Sequence, residues 1–230
     1  MNEPDPAQCL AATPFIDSDH ERIRAQLADL NHAERPQRER AVALFEFVRD
    51  QIAYDFAAPT NPIAYRASEV LAGGKGHCVR KAILLCALAR ASEIPTALVF
   101  ADMRDHTLSE TIVQLMGTDI LHHHGLVAFH LEGRWVKADP TTTRATSEKK
   151  GFRLVTFDGS ADALGHDLTI DGQRHLDYVE FHGIFDDMPF GEVMQSLAEN
   201  YAKADSEKFS GLGLSTSYDF AAAAKAYRNE

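Results

Sequence analysis

Residues 67–97 read ASEVLAGGKGHCVRKAILLCALARASEIPTA, and this stretch decides the fold. Gly73-Gly74-Lys75-Gly76 interrupts a short apolar piece, Ala67 to Ala72. The Ala- and Leu-rich run that follows predicts a helix from Cys78 to Ala91. Ile94-Pro95 closes that helix, and Thr96 to Ala101 (TALVFA) reads as a strand. A cysteine therefore opens a helix directly after a glycine turn. Unpaired backbone N–H groups there carry partial positive charge, which stabilises a thiolate and lowers the pKa of Cys78. The same groups can receive a developing oxyanion, and the glycines leave room for a substrate backbone.

Upstream, Val42, Leu44, Phe45, Val48 and Ile52 recur near helical spacing between Arg40, Glu46 and Arg49. This predicts an amphipathic helix from Gln37 to Tyr54. Two prolines in Ala58 to Pro62 break it, and Pro4, Pro6 and Pro14 mark an extended lead-in. Downstream, Asp102 to Leu121 has no clean period and reads as loop with a short helix. His124 to Leu131 and Arg134 to Ala138 are strand-like runs around Glu132-Gly133, a hairpin signature that Asp139-Pro140 terminates. Beyond Thr146 the strand candidates are Arg153 to Phe157 and Tyr178 to Phe181. A helix from Gly191 to Ala204 follows, then a tail, Ser206 to Glu230, that ends in an alanine-rich segment. Helices precede strands, which favours an α+β fold over a doubly wound sheet. The organisation expected is a single domain over 1–230, with a lead-in (1–36), a catalytic core (37–145) and a C-terminal extension packed on it (146–230).

Composition narrows the function classes. With 230 residues, 45% hydrophobic and 25% charged, the chain can build a sizeable core. A net charge of −11 argues against nucleic acid or anionic membrane as partner, since both need a basic surface. No apolar run is long enough to span a bilayer. The start, MNEPDPAQCLAATPFIDS, lacks a basic region and a long apolar core, so a cytoplasmic location is expected. Three cysteines suit a reducing compartment rather than a disulfide framework. Cys86, between Leu85 and Ala87, reads as core, and Cys9 as incidental. Nothing in the sequence fixes an oligomeric state.

The hairpin carries the second half of the chemistry. His124 begins one strand and Asp139 ends the other, 15 positions later, so an antiparallel return makes them neighbours. A carboxylate beside an imidazole fixes its tautomer, and the imidazole can then take a thiol proton and return it to a leaving group. Cys78, His124 and Asp139 are thus the candidate catalytic set.

Two blocks give a resemblance. Residues 67–97 resemble the nucleophile region of the transglutaminase-like superfamily, with a G-x-C turn, an Ala/Leu helix and a "GIPAR"-like strand entry at Glu93-Ile94-Pro95-Thr96-Ala97. Residues 124–141, HGLVAFHLEGRWVKADPT, resemble that family's "HAWVEV…GRWVPLDPT" block. The resemblance implies a papain-like, transglutaminase-core fold, with the nucleophile at a helix N-terminus packed on an antiparallel sheet. It also implies acyl transfer through a thioester on a peptide, protein or small amide. Hydrolysis by a peptidase or amidase is the first expectation. A transglutaminase or an N-acyltransferase is the alternative, and a non-catalytic binding module the competing class. The sequence departs from the family pattern at Gly125, where Ala is frequent, at Leu126, where Trp is common, and at His77 before the cysteine. A papain-type oxyanion glutamine would fall at Ala72. The second oxyanion donor is therefore open, with Tyr65 and Tyr54 as candidates. Gly76, His77, Tyr65 and Trp135 are the candidate substrate-binding or oxyanion residues.

Other polar clusters have blander readings. His122 and His124 would share a strand face and could chelate an ion, but no third ligand is recognisable, so neither metal nor cofactor is expected. His130 reads as a plain strand histidine, and Trp135 as core or cleft wall. Asp102 and Asp105 are alternative acids in an unpatterned loop.

Overall fold

A computed structural model describes residues 3–30, 34–201 and 220–227. The helices are α1 (Glu21–Leu30), α2 (Gln37–Gln51), α3 (Ala67–Gly73), α4 (Cys78–Ala91), α5 (Glu110–Met116), α6 (Arg144–Lys150), α7 (Phe190–Asn200) and α8 (Phe220–Tyr227). The strands are β1 (Ala53–Tyr54), β2 (Lys75–Gly76), β3 (Thr96–Asp105), β4 (Ile120–Leu131), β5 (Arg134–Ala138) and β6 (Leu176–Phe185). β5, β4, β3 and β6 form one antiparallel sheet in that order, and β1 pairs with β2 in parallel. The architecture is α+β.

α4 is apolar around most of its circumference and is correspondingly buried, as is every residue from Lys81 to Arg90. One side packs on Leu98, Phe100, Val127 and Phe129 of the sheet, and the others on Leu44, Phe45 and Val48 of α2 and on α3. The opposite sheet face buries Val99, Ala101, Leu126 and Ala128 under Trp135, Tyr178 and Phe181. Buried cations close the helix ends. Arg90 donates to the carbonyls of Thr96, Ala11 and Asp186 at 2.9, 2.7 and 2.6 Å, joining the lead-in to the end of β6. Lys81 donates to the carbonyls of Arg49 and Thr141, both at 3.0 Å.

The glycine turn and the hairpin form as the sequence predicts. Gly74 ends α3 in the left-handed region (φ 64°), which lets the chain reverse into β2 and then α4. Glu132 and Gly133 are both left-handed, at 51° and 81°, the geometry of a two-residue hairpin turn between β4 and β5.

Four expectations are corrected. The helix predicted to Tyr54 stops at Gln51, because Ile52 turns extended and Ala53–Tyr54 pairs with Lys75–Gly76. The predicted 102–121 loop is shorter: β3 runs on to Asp105 and β4 starts at Ile120, with polar residues and bulges masking the alternation. Arg153 to Phe157 forms no strand; Val155 and Phe157 are buried, and the Val155 carbonyl accepts from the Arg49 side chain instead of from a strand. The first 20 residues or so are not extended throughout, since Gln8–Leu10 forms a 3-10 turn, and α1 follows them. The segment after Thr146 supplies β6 to the sheet. Of the helix predicted over Gly191 to Ala204, α7 covers most, and residues 202–204 lie outside the described residues.

Candidate active site

Three elements meet at the start of α4. His77 precedes the helix in an extended conformation and provides no side-chain cap, so the first-turn N–H groups are not taken up by a capping oxygen. The half-buried thiol of Cys78 sits among them. Gly125 of β4 lies against the same turn, which brings the preceding His124 to the thiol.

His124 and Asp139 are both buried. His124 Nε2 donates to Asp139 Oδ2 at 2.7 Å. That leaves Nδ1 of His124, which is buried and has no hydrogen-bond partner among the described residues, as the nitrogen free to exchange a proton with the thiol. The carboxylate is held further by Thr141 N–H, which donates to Oδ1 at 3.0 Å, and by the Tyr178 hydroxyl, which donates to Oδ2 at 3.1 Å. Tyr178 in turn accepts from Gly165 N–H at 3.1 Å.

The electrostatics follow from this packing. Burial alone would raise the Cys78 pKa, but the positive charge of His124 and the close approach of the His124 and His77 rings outweigh it and bring it to about 5. Burial would discharge His124, yet Asp139 and the Cys78 thiolate hold its pKa well above the usual histidine range. Burial opposes ionisation of Asp139 too, and His124 with Thr141 brings it down to about 2. These directions favour a thiolate–imidazolium pair backed by a carboxylate. Burial lowers Lys81, one turn along α4, to about 7 despite Asp139 and Asp50 nearby. Cys86 is fully buried and burial pushes it up to about 12, while Cys9 is also buried.

The remaining sequence candidates fall on both sides of the line. His77 Nδ1 is 3.9 Å from the Cys78 sulfur, and its Nε2 is 3.3 Å from the Tyr65 hydroxyl. His77 and Tyr65 thus form a second polar pair at the thiol. Tyr54 lines the cleft, and Gly76 pairs beside it in the β1–β2 ladder. Trp135 does not reach the cleft; it packs edge-on to His130, 5.2 Å away, beside the sheet face that turns from α4. Asp105 accepts from Thr107. Asp102 instead collects histidines: His122 Nδ1 donates to it at 2.6 Å and His182 Nε2 at 2.7 Å. Tyr178, Lys81 and His182 carry no motif and were not among the sequence candidates.

The cleft has two recesses. One, of about 100 Å³, is mainly apolar and is bounded by Cys78, Phe56, Met116, Val193, Leu197 and Tyr201. The other, of about 340 Å³, is more polar and reaches Asp139, Thr141, Thr142, His166 and His175. His124 borders both. Among the described residues no helix is long and apolar enough to cross a membrane.

A thiol heading a buried helix, beside an imidazole and a carboxylate borne by an antiparallel sheet, defines a cysteine-based α+β class. The chain belongs to the transglutaminase-like superfamily, whose family model matches residues 24–140, half of its length. That membership supports a cysteine-based enzyme in general terms. Among solved structures it is similar to "a Putative Cysteine Protease from Cytophaga hutchinsonii", with 18% identity and a TM-score of 0.46. The match covers 61% of this chain and 43% of that one, so the chain spans less than half the length of that structure. No curated protein matches the chain.

Proposed function

We propose that the protein is an acyl-transfer enzyme that opens amide bonds through a thioester on Cys78, with water as the usual acceptor. The observation that carries this reading is the buried 2.7 Å contact between His124 Nε2 and Asp139 Oδ2 beside a thiol at the head of α4. The Cys78 thiolate attacks the amide carbonyl carbon, and the N–H groups of the first turn of α4 receive the oxyanion. As the C–N bond breaks, His124 gives its Nδ1 proton to the departing amine, leaving an acyl thioester. His124 then removes a proton from water, the hydroxide attacks the thioester, and the thiolate leaves. Asp139 keeps the Nε2 proton in place throughout.

The two recesses suit this division. The apolar one beside Cys78 favours an apolar acyl group, and the larger, more polar one, which reaches Asp139 and Thr141, gives the leaving amine and the incoming water a route. An amine entering by the same route makes the enzyme a transglutaminase or N-acyltransferase, which is the second reading. Intact-mass analysis tests the first. A thiol-directed or amide activity-based probe should add one label to wild type and none to Cys78→Ala. Labelling that survives in Cys78→Ala sinks the assignment. Turnover with and without an added amine then separates acid from amide products.

A further inference from the structure

The sheet is irregular on both sides of one residue. Against Ala101–Met103 of β3, β4 runs from His124 to Leu121, one residue too many, so that the chain bulges at His122 and His123. On the other side β6 pairs Gly183 with Phe100 and Phe181 with Ala101, which leaves His182 as the extra residue. A bulge takes a residue out of the ladder and re-aims its side chain. His123 is left-handed as well, at φ 52°, a conformation uncommon outside glycine. Both bulges deliver an imidazole to Asp102 on the strand between them. The rings of His123 and His182 stack at 4.3 Å with 10° between their planes.

We propose that Asp102, His123 and His182 form a binding site for a divalent transition-metal cation of the zinc class, beside the cleft that holds Cys78. One ligand atom from each lies within 4.8 Å of the other two. Two imidazole nitrogens and a carboxylate oxygen are a donor set for zinc that leaves a fourth position for water or another ligand. His123 Nδ1 is buried without a hydrogen-bond partner among the described residues. The carboxylate is already oriented from outside: His122 Nδ1–H donates to Oδ2 at 2.6 Å and the His123 backbone N–H to Oδ1 at 3.0 Å. Such surrounding hydrogen bonds are what fix a metal-ligating carboxylate. A cation arriving at Asp102 Oδ1 replaces the proton that His182 Nε2 shares with it, and that proton passes to the other ring nitrogen or to solvent. The side chains of His182 and Asp102 are 22% and 15% exposed, so an entry path exists. The histidine run read as lacking a third ligand because the others sit on β3 and β6. The inference does not depend on the acyl-transfer reading.

The test uses the full chain, purified without an affinity tag and stripped with a chelator. Zn²⁺ binding is measured by competition with a chromophoric chelator for wild type, Cys78→Ser, His182→Ala and Asp102→Asn. The expected result is one Zn²⁺ per chain in wild type and Cys78→Ser, and binding at least about tenfold weaker in the other two. Unchanged affinity in His182→Ala overturns the proposal, and so does loss of binding in Cys78→Ser, which would put the cation on the thiolate. Co²⁺ loading of wild type gives a reading free of any folding defect. Ligand-field bands without thiolate-to-cobalt charge transfer support the site, and charge transfer at one equivalent overturns it.

Discussion

Gly125 lies directly on the backbone of Val79: a β-carbon at Gly125 would stand 2.6 Å from Val79 Cα and 3.0 Å from its nitrogen. Val79 follows Cys78, and Gly125 follows His124. The absence of a side chain at this one position sets how near the sheet comes to the first turn of α4. Helix backbone cannot yield as a flexible side chain can. Gly125→Ala should therefore push β4 away and part His124 from the thiol. Turnover is expected to fall by about 100-fold, as for a misplacement near 1 Å, with a stability loss of about 1–3 kcal/mol. Steady-state kinetics beside thermal unfolding check this, and undiminished kcat would show that the close approach is not needed.

Cys78 should be alkylated far faster than Cys9 or Cys86. Its thiol is held at about 5 by His124 and His77 against the effect of burial, whereas burial pushes Cys86 up to about 12. The iodoacetamide rate should thus be nearly flat above about pH 6 and decline as pH falls through 5, because protonation removes the thiolate. Peptide mapping of partly labelled protein identifies the site. Preferential labelling of Cys86 would contradict the assignment.

Asp139→Asn separates a carboxylate that sets the imidazole tautomer from one that merely caps a turn. An amide nitrogen in place of Oδ2 would press His124 to accept at Nε2 and carry its proton on Nδ1, where it cannot take one from the thiol. In the serine-protease triad the equivalent change costs about 10⁴ in kcat. A cysteine enzyme forms its nucleophile more easily, so a loss of at least about tenfold is expected. Asn can still accept from Thr141, and thermal stability should stay within about 1 kcal/mol. Full activity would reduce the site to a Cys–His pair.

Two histidines touch the thiol, and they should fail differently. His124→Ala removes the group paired with Asp139 and should abolish turnover. His77→Ala leaves that pair intact and removes a contact of 3.9 Å, so it should raise the alkylation pKa of Cys78 while retaining measurable turnover. The pH profile of alkylation and kcat for both variants decide the matter. A dead His77→Ala beside an active His124→Ala would exchange their roles.

Much of this site was legible locally. The helix from Cys78 to Ala91 has the bounds that its composition, the glycines before it and Ile94-Pro95 after it predict, and the turn at Glu132-Gly133 pairs β4 with β5 as the alternation requires. Register then brings His124 to Asp139, because a two-residue turn leaves little freedom. The stretch from Asp102 to His123 was not legible. Its bulges and its polar residues erase the period-two signal, and the strand pairing that stabilises it comes from β6, far along the chain.

What the sequence determined by itself was therefore whatever rests on neighbours in the chain: a thiol at a helix start, an apolar helix able to be buried all round, and a hairpin that returns Asp139 to His124. Tertiary structure alone decided what converges on those groups. Tyr178 reaches Asp139 from 39 residues away, Lys81 ties α4 to Thr141 over 60, and His182 meets Asp102 over 80. Each of these is a single polar contact with no periodicity of its own. Its partner is set by how the helices and the sheet pack, so no local pattern announces it.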